Sequence, residues 1–240
     1  MPGVAMQNIG PIFRREFRSY FNSPVAYVVI IVFLSIIGWF FTSNMFLFNV
    51  ASMRVFFELV PLVFLFFIPA ITMRLIAEEK KTGTLELLTT KPVLDVEIIL
   101  GKFLAAWVLL AVTLLPTLLY ALTMGLLGSL DPGPVITGYI GLLLMGAVYI
   151  AIGIFASSLT ENQIVAFIVS FLLIIALFLM DKVLMYVPEA FASTMEFLSI
   201  DYHFSNIARG VIDSRDILYF ASLLGFSLYL ATVSLERRKW

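Results

Sequence analysis

The residues able to do chemistry are few, and most stand outside the apolar stretches of the chain. There is one histidine, His203, and no cysteine, so disulfides, thiolate metal sites and cysteine nucleophiles are ruled out. No H-E-x-x-H or G-x-S-x-G arrangement accompanies His203. Without a paired base or a metal set, a surface or interfacial role for it outweighs catalysis. No G-x-x-x-x-G-K-[ST] loop occurs either, so the chain cannot by itself build the usual phosphate cradle of an ATPase. The densest charge lies near the start, at Arg14, Arg15, Glu16 and Arg18, and between residues 74 and 102. Neither group has a catalytic or metal-ligand spacing, and no catalytic residue is expected.

These charges must be positioned by a membrane protein. Of the 240 residues, 61% are hydrophobic and 13% charged, and the mean hydropathy is +1.04, too apolar for an ordinary soluble domain. A net charge of −1 argues for neither nucleic acid nor a strongly charged substrate. Six stretches qualify as spanning helices: Pro24 to Ser43, Val55 to Met73, Phe103 to Met124, Gly138 to Ala156, Ile164 to Met180, and Ile217 to Ser234. The expected fold is therefore an all-α membrane protein, one transmembrane domain over residues 1–240 with six transmembrane helices. The spans contain one charged residue, Glu58, close to the outer start of the second, which reads as interfacial rather than proton-carrying.

An even number of spans puts both termini on one side, and basic residues say which. With the N-terminus in the cytoplasm, eleven of the fifteen Lys and Arg residues lie inside. Only Arg54, Lys182, Arg209 and Arg215 lie outside. Arg14, Arg15 and Phe17 match part of a twin-arginine export signal, yet no A-x-A-type site follows the apolar run before Asn44. The run reads as a first span that stays in the protein.

Residues 9–22 repeat Ile9, Ile12, Phe13, Phe17, Tyr20 and Phe21 at a helical period, with Arg14, Arg15, Arg18 and Asn22 opposite. That pattern predicts a helix lying in the membrane interface. Glu16 falls inside the apolar arc. Either a polar partner within the protein, with Arg74 and Lys102 as the natural cations, or snorkelling to water accommodates it.

The segment 74–102 predicts a short helix through Glu78, Glu79, Lys80 and Lys81, a break at Gly83, and a helical turn carrying Leu85, Leu87 and Leu88 that ends before Pro92. A further helix should start near an Asp95 N-cap and run into the third span. Leucines on a short cytosolic helix want a protein partner. The loop 181–216 predicts short amphipathic helices dipping into the outer interface, while 44–54, 125–137 and 157–163 read as connectors. Pro61, Pro69 and Pro116 lie within spans and predict kinks.

The blocks R-R-E-F-R-S-Y-F-N-S-P from Arg14, E-E-K-K-T-G-T-L-E-L-L-T-T-K-P from Glu78, I-I-L-G-K from Ile98 and R-G-V-I-D-S-R-D-I-L-Y-F from Arg209 together resemble the type-two ABC exporter permeases. Within that group the chain is most similar to the short permeases of gliding-motility and copper-maturation systems. The resemblance implies a six-helix permease in a homodimer or homologous heterodimer in the bacterial inner membrane, standing on two copies of a separate ABC ATPase subunit. The ATPase would bind ATP and Mg, leaving no cofactor to this chain. It also implies that the loop around Gly83 to Thr90 acts as the coupling helix, with Glu79, Gly83, Thr84, Leu85 and Glu86 carried over by position. Two other classes compete. An ABC-driven mechanical or signalling device would use the same loop, and a membrane-embedded enzyme would need polar catalytic groups that the spans lack.

Overall fold

The computed structural model describes residues 8–48, 53–84, 93–127, 130–183 and 189–237. Among them the chain is helical throughout: α1 (Ile9–Asn22), α2 (Val25–Phe48), α3 (Arg54–Thr72), α4 (Ala77–Lys81), α5 (Asp95–Leu114), α6 (Leu118–Leu127), α7 (Pro132–Leu159), α8 (Gln163–Leu179), α9 (Glu189–Leu198), α10 (Ile200–Ala208) and α11 (Ser214–Glu236). Five helical segments are long and apolar enough to cross a bilayer: Val25–Met45, Arg54–Lys81, Asp95–Leu126, Pro132–Leu159 and Ser214–Glu236. The fifth expected span, α8, is apolar but has only 17 residues, the short end of the spanning range. Lengths thus support a multi-pass bundle of at least five crossings, with α8 shorter than the rest.

The connectors are shorter than the sequence implied. α6 runs to Leu127 and α7 starts at Pro132, so the expected loop 125–137 is mostly helix. Pro132 stands at the first helical position, where its missing N–H costs nothing, and the Asp131 carboxylate accepts the Gly133 N–H at 3.0 Å. Asp95 is the first residue of α5 rather than its cap. Glu97 instead reaches back, its Oε2 accepting the Leu94 N–H at 2.9 Å. Pro116 interrupts the third span with a 3₁₀ turn over Leu115–Thr117. There the Thr117 hydroxyl bonds the Leu114 carbonyl at 2.6 Å and meets the Tyr139 hydroxyl of α7 at 3.0 Å, so the break is held by a neighbouring helix.

α7 is the central strut, packed by α3, α5, α8, α10 and α11. Of its apolar window 78% is buried, against 22% for α2, which leaves α2 at the rim with Tyr27, Ile31 and Trp39 exposed. Such exposed apolar rings and branched chains are what a lipid-facing surface requires. Glycine permits the tight contacts of α7. A Cβ on Gly153 would come within 2.1 Å of the Thr72 hydroxyl, and one on Gly146 within 2.2 Å of Leu110, so α3 and α5 approach its backbone directly.

Within the segment 181–216, α10 packs on this strut. α10 buries Ile200, Phe204 and Ile207, and Phe204 lies against Gly141 of α7.

Candidate functional site

The charged groups at the two ends of the sequence-predicted loop converge at one end of the bundle. α1 lies along α5. Gly101 makes the seat, since a Cβ there would meet Ile12 at 2.6 Å. The start of α1 is clamped as well: the Asn8 backbone N–H and side-chain amide donate to the two Glu97 carboxylate oxygens, each at 3.1 Å. Because Ile12 and Tyr20 face the bundle, Glu16 faces it too.

The partner of Glu16 is Lys102, the residue that follows Gly101 on α5. The Lys102 ammonium is 1% exposed and lies 3.2 Å from Glu16 Oε1 and 2.8 Å from Glu79 Oε1. One buried cation therefore joins α1, α4 and α5. Arg15 adds a weaker outer contact, 3.5 Å to Glu79. Arg74 borders the same hollow as Glu16 and Lys102, with its guanidinium over the Tyr20 ring at 5.7 Å. The Tyr20 hydroxyl is buried with no hydrogen-bond partner among the described residues. Burial first, and the Glu16 carboxylate second, push its ionisation well above the ordinary tyrosine range, so it stays neutral.

α4 is aimed at this cluster by Ser157, a residue with no signal of its own in the sequence. Its hydroxyl accepts the Ile76 and Ala77 N–H groups at 3.1 and 3.0 Å and donates to the Met73 carbonyl at 2.9 Å. One side chain of α7 thus satisfies three backbone groups left open where α3 gives way to α4. Lys80 donates to the next carbonyl, that of Ser158, which also accepts the Ser234 hydroxyl of α11 at 3.2 Å. Beyond α4 the chain turns at Gly83, whose φ of +69° disfavours residues with a Cβ. Thr84 bonds the Thr82 hydroxyl at 2.9 Å. Leu85, Glu86, Leu87 and Leu88 lie outside the described residues.

The opposite end carries a mixed hollow of about 1210 Å³, bordered by Arg54, Glu58, Phe57, Asp131, Asp201 and Phe204 among others. Glu58 is exposed there and paired with Arg54 at 3.0 Å. Lys182 holds Asp201 at 2.7 Å and Asp181 at 2.8 Å. Burial alone would lower the Lys182 pKa, but hydrogen bonds to the two carboxylates outweigh it and raise it above the ordinary lysine value. Burial chiefly raises that of Asp201. His203, expected in a surface or interfacial role, is 2% exposed. Its Nδ1 meets Asp216 Oδ1 at 2.6 Å, its Nε2 meets the Phe197 carbonyl at 2.9 Å, and its ring stacks on Tyr219 at 3.9 Å. It pins α10 to α11. The amphipathic pattern of 200–207 could have revealed this burial, since positions 200, 203, 204 and 207 share one helical face.

The geometry is that of a bundle in which a buried cation ties α1 and α5 to the short helix α4, which suits a membrane subunit that answers to a partner. No curated protein matches the chain. A family model described as ABC-2 family transporter protein matches residues 11–235, nearly the whole bundle including α1, and the chain belongs to this family of ABC transporter membrane subunits.

Proposed function

We propose that the chain is the permease of an ABC exporter. It crosses a bacterial inner membrane six times with both termini in the cytoplasm, pairs with a second permease, identical or homologous, and stands on two copies of a separate ATPase that binds ATP and Mg. The six-span count rests on the five long helices together with α8, whose 17 residues suffice for a crossing. The orientation rests on the excess of basic residues at the α1 and α4 end.

One observation carries the coupling role: Lys102 holds Glu79, on α4 just before the loop, and Glu16, on α1, with the same ammonium group. Force applied to the loop by an ATPase therefore reaches α1, and through Ser23 and Pro24 reaches α2, without any charged relay across the spans. The loop residues Gly83, Thr84, Leu85, Glu86, Leu87 and Leu88 would supply the contact, with the leucines buried in the partner. The cargo has no signature in the chain.

The experiment is copurification from cells that express the chain with its ATPase. Replacing Leu85, Leu87 and Leu88 together by Asp should abolish capture of the ATPase while the permease stays in the membrane. Undiminished capture would sink the reading of this loop.

A further inference from the structure

The surface of α1 divides into three sectors. Ile12, Glu16 and Tyr20 turn to the bundle. Phe13, Phe17 and Phe21 form a half-buried aromatic ridge, with ring centroids 5.7 and 5.1 Å apart along it. Beside the ridge, on the far side from the bundle, stand Arg14 and Arg18, both exposed. Arg15 is committed to Glu79, but among the described residues Arg14 and Arg18 make no ion pair or hydrogen bond. The shallow hollow along them, about 760 Å³, is bordered by Gly10, Pro11, Arg14, Arg15, Arg18 and Asn22. Among the described residues no carboxylate borders it.

The ridge also has a definite depth. Phe21 meets Tyr27 of α2 edge to face at 6.0 Å, and Tyr27 opens the exposed apolar side of α2 that continues through Val28 and Ile31. A ridge that runs into the lipid-facing side of a spanning helix lies at the top of the acyl region. Side chains one step around the helix from it then stand at the level of the phosphates.

We propose that Arg14 and Arg18 form a binding site for anionic phospholipid headgroups, resting on the reading above that α1 lies at the cytoplasmic face. Two guanidinium groups one helical turn apart can each grip phosphate oxygens bidentately. A zwitterionic headgroup brings its own ammonium to the phosphate, whereas an anionic one leaves the charge for the protein to meet. Lipid bound here would brace the helix that Lys102 ties to the loop, so membrane charge would bias the same element the ATPase moves.

The test uses the full-length permease alone, purified in neutral detergent and mixed with phosphatidylglycerol or phosphatidylcholine, with retained lipid counted by native mass spectrometry. The wild type should retain phosphatidylglycerol preferentially. Arg14→Gln with Arg18→Gln should weaken that retention by roughly fivefold per arginine, and the double Lys variant should lose less. Both sites are exposed, and an unchanged melting temperature will show that folding is intact. Glycerol phosphate at equal concentration should not displace the lipid. Equal retention of both lipids, full retention by the Gln variant, or displacement by glycerol phosphate would each overturn the proposal. Loss of ATPase capture in the Gln variant with lipid retention unchanged would also overturn it, assigning the arginines to the protein partner. Since no ATPase enters the lipid assay, failure there leaves the coupling loop untouched, and failure of the leucine variants leaves the lipid result standing.

Discussion

Lys102 concentrates more consequence than any other side chain at the α1 end. Taking an ammonium group out of water costs several kcal/mol, and here two carboxylates offset it. Lys102→Met would leave Glu16 and Glu79 facing each other without their cation, and we expect a loss of about 3–5 kcal/mol, read as a large fall in melting temperature in detergent. Glu16→Gln keeps the shape and one acceptor, so its cost should be nearer 1 kcal/mol. Its effect should appear in function. In a reconstituted complex, ATP hydrolysis should continue while cargo movement falls. Normal coupling in the Gln variant would reduce the contact to a structural staple. The place of Glu16 on the apolar arc of α1 left two outcomes open, a cation within the protein or snorkelling to water, and the Lys102 contact selects the first. That Glu79 shares the same cation was not legible, since nothing in a sequence says that residues 16, 79 and 102 meet.

At the scale of elements, the short helix α4 is the instructive case. Five residues cannot sustain a helix by themselves, and the carboxylates Glu78 and Glu79 at its start with Lys80 and Lys81 at its end favour it only weakly. What orients it is Ser157 on α7. Ser157→Ala would strand two buried N–H groups and one carbonyl, and each unsatisfied group costs about 1–3 kcal/mol. We expect the melting temperature to drop and amide exchange to quicken over residues 75–84 while α3 and α7 stay protected. Uniform exchange across the bundle would show that Ser157 supports the whole fold rather than this element. The fragment around Gly83 illustrates the converse, because its break was readable directly from the residue type and its positive φ follows from it.

For the whole molecule, the decisive matter is which end faces which compartment. The end bearing α1 and α4 gathers most of the basic residues, and the retention of positive charge on the cytoplasmic side predicts its orientation. In cysteine-free background, Thr82→Cys should be shielded from impermeant thiol reagents in intact cells, whereas Asp131→Cys and Ser205→Cys should react. Labelling of Thr82→Cys from outside would reverse the topology and remove the ATPase from the loop. Both Thr82 and Asp131 are exposed, so accessibility at each reports the side rather than the packing.

Sequence alone determined the class, the approximate spans, the helix over residues 9–22 and the family, because each depends on local quantities: hydropathy over some twenty residues, a helical period, or short blocks of residue types. Boundaries drifted where a local rule had competitors. Pro132 and Asp131 could start α7 earlier than its apolar run, and Glu97 rather than Asp95 capped α5. Only the tertiary structure decided which helix is central, why α10 belongs to the core, where His203 is buried, and that a single lysine joins α1 to the loop. Those outcomes follow from contacts between residues tens of positions apart. Packing at glycines such as Gly101 and Gly153 selects them, and no short window of sequence contains both partners.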